Sequence, residues 1–274
     1  MELNLQNCPF SAGDICHVYR AMNSGGPIVI FLHLPKTGGT TLQHILQRCY
    51  PQDQIRTFKD PNRQREIEEF EQVAATNRGA YRLIQGHLSF GFHRHLPGDS
   101  TYITLLREPI ARALSFYYYA KSHRDHYLYR SLAGGDVDLR TLLKERTPTT
   151  HELFNLQTSM IAGDEWEDPE RPADRAALER AKQNLRNHFV VGLTEEFDAS
   201  LRLMSQRFGW KVKSYTKKNV TRRKPRNDTL DTETLALLRE ANAFDIELYQ
   251  FARELFETQR RTGAKYSTAS VSSL

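Results

Sequence analysis

Apolar and polar residues fall along this chain in blocks whose periods separate strand from helix. Residues 28–34 form a short apolar run, as a buried parallel strand requires. Leu42, Ile45, Leu46 and Cys49 then recur at i, i+3, i+4 and i+7, one face of a helix. Residues 81–87 (Y-R-L-I-Q-G-H) read as a strand ending at a glycine and a histidine. Residues 101–106 read as another strand, ending at Arg107-Glu108-Pro109. Pro109 fits the first turn of a helix, which carries Ile110, Ala113, Leu114 and Tyr117 inward.

The remaining elements follow the same logic. Residues 51–65 are polar and expected to be loop, and 66–76 a short helix bearing Ile67, Phe70 and Val73. Residues 122–150 read as an excursion, broken at Gly134-Gly135 and helical over 139–143. Helices are expected over 152–162, ending at Gly163, and over 173–187, with an acidic, proline-bounded loop over 164–172 between them. A strand follows at 189–193, and Thr194 is placed to cap a helix bearing Phe197, Leu201, Met204 and Phe208. Residues 231–258 read as one long amphipathic helix, and 260–274, rich in Ser and Thr, as a disordered tail. Strands alternating with helices predict an α/β fold, a three-layer α/β/α arrangement on a mainly parallel sheet, in a single domain over 1–259.

Composition narrows the class. The 274 residues are 39% hydrophobic and 26% charged, as in a globular protein. No run approaches about 18 apolar residues, and residues 1–14 lack a basic region followed by an apolar core. The expectation is a soluble, cytoplasmic protein with no integral membrane segment. Cys8, Cys16 and Cys49 are odd in number and widely spaced. They suit a reducing compartment better than a disulfide framework or a zinc knuckle. The net charge is +5, but Lys211 to Arg226 holds eight basic residues and no acidic one, leaving 30 basic against 33 acidic elsewhere. Positive charge confined to one segment points to an anion site rather than to a nucleic acid polymer.

The candidate chemistry lies at the strand-to-helix junctions. The first reads Pro35-Lys36-Thr37-Gly38-Gly39-Thr40-Thr41. The glycines let backbone approach an anion, and the first helical N–H groups and the helix dipole favour negative charge. Lys36 adds a full charge and the threonines add hydroxyl donors. It is not a Walker A loop, because the lysine precedes both glycines. The second junction, Arg107 to Ser115 (R-E-P-I-A-R-A-L-S), pairs a forked donor with a hydroxyl two helical turns on. His87 stands at a strand end between the two and titrates near neutrality, as a general base must. His93 and His95 form an H-x-H pair with no third metal ligand at suitable spacing, and read as surface. Residues 215–226 (Y-T-K-K-N-V-T-R-R-K-P-R) form a basic loop.

The order P-K-T-G-[GST]-T resembles the 5′-phosphosulfate loop of sulfotransferases that use 3′-phosphoadenosine 5′-phosphosulfate (PAPS). The Arg107–Ser115 spacing resembles their 3′-phosphate motif, and the two occur in family order about 70 residues apart. Gln85-Gly86-His87-Leu88-Ser89-Phe90 looks like the catalytic-histidine segment of Golgi carbohydrate sulfotransferases, placing the chain with the 2-O-sulfotransferase-like branch. Asn155-Leu156-Gln157-Thr158 and Val190 to Glu195 resemble that branch more weakly. The likeness runs over residues 27–258. It departs at Gly39, where serine or threonine is common, at Leu42, where cytosolic members have tryptophan, and in showing no N-terminal membrane anchor.

The resemblance implies a P-loop-NTPase-like sulfotransferase fold and transfer of a sulfuryl group from PAPS to an acceptor hydroxyl of a carbohydrate, by in-line displacement and without a metal. It implies His87 as base and Lys36 as electrostatic catalyst. Lys36, Thr37, Gly38, Gly39, Thr40, Thr41, Arg107 and Ser115 would bind the donor, with Arg222, Arg223 and Lys224 covering it. The alternatives are a nucleotide kinase or other NTPase, which would need a Walker A loop and a magnesium carboxylate, and a non-catalytic binder of anionic glycans using the basic loop.

Overall fold

The computed structural model describes residues 26–262 apart from 59–62, 77–80, 97, 136, 165–171, 213 and 217–229. The uninterrupted apolar stretches become the centre of a sheet. Strand β1 (Ile28–Leu32) is buried at every position, as are β3 (Leu83–Gly86) and β5 (Phe189–Leu193). With β2 (Ile55–Phe58) and β4 (Ser100–Leu106) they pair in the order β2-β3-β1-β4-β5, every pair parallel. Parallel neighbours need crossover connections, and right-handed crossovers set helices on both faces because β1 leads to one side of the sheet and β2 to β5 return to the other. The result is the expected α/β fold with a wholly parallel sheet.

The helices are α1 (Gly39–Cys49), α2 (Arg63–Thr76), α3 (Pro109–Ser122), α4 (Tyr129–Ala133), α5 (Leu139–Glu145), α6 (Leu156–Ala162), α7 (Arg175–His188), α8 (Phe197–Phe208), α9 (Thr232–Ala241) and α10 (Ala243–Thr262). The largest core lies between the sheet and α1, α6, α7, α8 and α10. A second core joins α3, α4, α5 and α9, so the excursion after α3 is packed on its own apolar residues, among them Leu132, Leu139, Leu142 and Leu143.

Several expectations change. Residues 51–65 contain the edge strand β2, whose I-R-T-F is only half-buried except at Phe58. The expected helix over 231–258 is two helices, broken at Asn242. The Asn242 amide donates to the carbonyls of Leu153 and Leu238, which takes it out of the helical path. Helix α10 also continues through Thr262, into the stretch read as tail, and residues 263–274 lie outside the described residues.

Helices α6 and α10 cap each other. Asn155, in the left-handed region, accepts the N–H groups of Phe244 and Asp245 on its Oδ1. Asp245 in turn accepts the N–H groups of Gln157 and Thr158 and the Thr158 hydroxyl. Each side chain satisfies the orphan amides that begin the other helix. Both Asp245 and Arg112 of α3 have no exposed surface. Arg112 Nη2 donates to Glu152 O at 2.6 Å, and its Nε and Nη1 have no hydrogen-bond partner among the described residues. Burial raises the Asp245 pKa, and the Arg112 charge and the Gln157 and Thr158 hydrogen bonds lower it. Removing its carboxylate leaves three buried donors, the Gln157 and Thr158 N–H groups and the Thr158 hydroxyl, without their acceptor. Asp245→Ala should therefore lower unfolding free energy by about 3 kcal/mol in urea titrations. A loss under about 1 kcal/mol would show that this exchange of caps does not matter.

Candidate active site

A parallel sheet delivers every strand's carboxyl end to one edge, and in open α/β sheets ligands bind beyond that edge. The loop 33–38 leaves β1 there, His87 follows β3, Arg107 follows β4 and Thr194 follows β5. Lys36 and Gly38 both adopt left-handed conformations, φ 67° and 79°. For lysine this is a sparsely populated region that needs outside support. The support comes from the other strand ends. Arg107 Nη1 donates to the Lys36 carbonyl at 2.9 Å, and the Thr194 hydroxyl donates to the Thr37 carbonyl at 2.5 Å and to Leu106 O at 3.0 Å. Thr194 thus braces the phosphate-type loop instead of capping α8, whose N-cap is Glu196.

The two helix starts differ. Helix α1 begins after Gly38, whose lack of a side chain leaves the helix start without a side-chain cap, while the Thr41 N–H donates to the Gly38 carbonyl at 3.1 Å. Helix α3 is capped by Glu108, whose carboxylate accepts from the N–H groups of Ile110 and Ala111. An anion at the second junction is left to side chains, Arg107 and the buried Ser115. Arg107 is itself tightly seated. Its N–H donates to Gln157 Oε1 and its carbonyl accepts from Gln157 Nε2, both at 3.0 Å. Burial lowers its pKa, opposed by Glu195 and Glu108. Glu195 accepts from the Glu108 N–H and the Tyr249 hydroxyl.

The loop's side chains divide their work. Thr37 is fully buried and its hydroxyl donates to Leu34 O at 2.8 Å, so it shapes the loop. Gly38 is exposed, Thr40 half-buried, Gly39 and Thr41 buried. The Lys36 ammonium lies 3.5 Å from the Tyr119 ring centre, over the aromatic run that follows Ser115.

His87 is half-buried, and its Nδ1 lies 2.7 Å from the His33 carbonyl. A carbonyl only accepts, so Nδ1 carries the proton and the neutral ring keeps its lone pair on Nε2. The His33 N–H donates to Gly86 O at 2.9 Å, closing a ring of contacts between the ends of β1 and β3. Gly86 is required just there, because an added Cβ would fall 2.7 Å from the Phe58 carbonyl oxygen.

Lys36, Thr37, Gly39, His87 and Arg107 are therefore linked into one cluster. Arg222, Arg223 and Lys224 lie outside the described residues. His93 accepts or donates at the Tyr102 hydroxyl and stacks near His188, while His95 pairs with Glu71 at 2.6 Å. Among the described residues no group of three or more His, Cys, Asp or Glu is placed to hold a metal ion, and no helix is long and apolar enough to cross a membrane. The residues not foreseen as site members are His33, Gln157, Thr194 and Glu195. The signal for His33 was a polar residue inside an apolar strand run, which is rare without a task.

A family model described as galactose-3-O-sulfotransferase matches residues 3–274. Human heparan-sulfate 6-O-sulfotransferase 1 is 27% identical over 279 residues, covering 85% of this chain and 66% of its own length. The heparan-sulfate 6-O-sulfotransferase 1-B of Danio rerio is 26% identical over 289 residues, covering 85% and 67%. The chain thus spans about two thirds of the length of these relatives. A crystal structure of mouse sulfotransferase SULT7A1 complexed with PAP aligns over 87% of this chain and 72% of that one, at 16% identity and a TM-score of 0.40, too slight a likeness to argue from. By the family model, the chain belongs to the galactose-3-O-sulfotransferase family and so to the sulfotransferases of carbohydrates.

Proposed function

We propose that this protein transfers a sulfuryl group from PAPS to a hydroxyl of a glycan. The observation that carries the proposal is the single cluster in which a strained, lysine-bearing loop, an oriented histidine and a seated arginine meet at the carboxyl edge of the sheet. The uncapped start of α1 fits the phosphosulfate end of the donor, with backbone amides and Lys36 as its positive partners. Arg107 and Ser115 fit the ribose 3′-phosphate. A glycan acceptor is favoured because the matching family and the relatives above are named for sulfating sugars.

The acceptor oxygen attacks sulfur as the bond from sulfur to the bridging phosphate oxygen breaks, releasing adenosine 3′,5′-bisphosphate. The hydroxyl proton passes to His87 Nε2, the ring nitrogen that carries no proton in this tautomer. Lys36 and the loop amides compensate charge on the sulfuryl oxygens and the leaving phosphate by fixed electrostatics, with no metal ion in the scheme. Positioning supplies much of the rest.

Three outcomes test this. Labelled sulfate should move from PAPS to desulfated heparin or to a galactoside-terminated glycan; a folded protein that binds the nucleotide yet sulfates no glycan would contradict the proposed acceptor. Lys36→Ala and His87→Ala should each lower kcat by about 10²–10⁴-fold, the range of general-base and charge-stabilising groups. Near-wild-type turnover in His87→Ala would remove it as the base. Arg107→Ala should mainly weaken binding of adenosine 3′,5′-bisphosphate, by about 10-fold or more in calorimetry. An unchanged affinity would refute its role.

A further inference from the structure

One buried imidazole touches both halves of this site. The His33 ring is 9% exposed and stacks on His87 with centroids 4.5 Å apart and planes 29° apart, and on Phe31 at 5.2 Å and 14°. Its edge faces the start of α1. A Cβ built on Gly39 would lie 2.1 Å from His33 Cδ2 and 2.3 Å from Nε2, closer than any real contact. Gly39 is not in a left-handed conformation, so its backbone would accept any residue. All three atoms nearest that Cβ belong to the His33 ring.

We propose that His33 is a positioning residue for the sulfuryl-transfer reaction, its carbonyl fixing the tautomer of His87 and its ring fixing the plane of His87 against the loop at Gly39. This rests on His87 being the base. Gly39 then departs from the serine or threonine common at its position because His33 occupies that space. The chemistry of the pair supports the assignment. Burial, then the neighbouring His87 and Lys36, push the His33 pKa well below the usual histidine range. A neutral ring offers its π-face to His87, and continues to do so when His87 takes the acceptor's proton, whereas a charged His33 would repel it. The bonds from His33 N–H to Gly86 O and from His87 Nδ1–H to His33 O hold the base at one edge, and the stack restrains its ring plane.

The experiment is a double-variant cycle on the full chain, with kcat measured by sulfate transfer and adenosine 3′,5′-bisphosphate binding by calorimetry. His33→Leu keeps the carbonyl and removes the ring. It should lower kcat by about 10²-fold, the effect of a misplaced catalytic group, while the nucleotide binds within about threefold of wild type. Gly39→Ser should lower kcat similarly by pushing the ring aside, and should cost little more in a His33→Ala background, where the space is open. Costs that simply add, or a fall in kcat matched by loss of nucleotide binding, would overturn the proposal. If His87→Ala abolishes turnover while His33→Leu retains it, this inference fails and the base survives. If His87→Ala stays active, the base assignment itself fails. Should the His33 variants not fold, ¹⁵N-histidine spectra of the wild-type protein decide the carbonyl's part, with His87 expected as the Nδ1–H tautomer and the Nε2–H tautomer overturning it.

Discussion

Two carbonyl groups carry the design of this protein. Those of Lys36 and Thr37 accept hydrogen bonds from Arg107 and Thr194, side chains at the ends of β4 and β5, 71 and 157 residues away in sequence. A lysine at φ 67° is strained, and such strain persists only where surrounding structure over-determines it. A wholly parallel sheet supplies that surrounding, because it brings four strand ends to one edge. The loop is thus shaped by the fold, and the amides at the start of α1, proposed to meet the donor's phosphosulfate, are placed by the loop.

The same side chains then join site to core. Arg107 is seated by Gln157, whose backbone N–H is held by the buried Asp245. Helices α6 and α10 exchange caps through Asn155 and Asp245, which places Gln157 without slack. A site set on rigid elements with supporting bonds behind them suits a reaction in which alignment and fixed charge do most of the chemistry. The contrast between the helix starts has the same economy. Glu108 closes α3 and leaves α1 as the end suited to an anion.

Local pattern made much of this legible, and its failures share a cause. Strand β1, the glycine loop and α1 could be read because apolar period and turn chemistry agree over 28–49. Helix α7 was legible because Ala177, Leu178, Ala181 and Leu185 keep one face, all of them buried. Strand β2 was hidden because Ile55–Phe58 is a short, half-exposed edge with no apolar run. Asn242 breaks a helix through a bond to Leu153, 89 residues earlier, which no periodicity records. Thr194 has the look of a helix cap, yet its hydroxyl serves the loop after β1. His33 is one polar residue in an apolar stretch, and its contact with Gly39 leaves no trace in any period. For Asn242, Thr194 and the stack of His33 on His87 the deciding contact is distant in sequence, while the motifs themselves are local.

The account stands most directly on where the donor nucleotide lies. A crystal structure with adenosine 3′,5′-bisphosphate should show its 5′-phosphate at the start of α1, about 2.7–3.2 Å from loop amides, and its 3′-phosphate at Arg107 and Ser115. A nucleotide bound elsewhere on the folded protein, or turned end for end in this crevice, would contradict it.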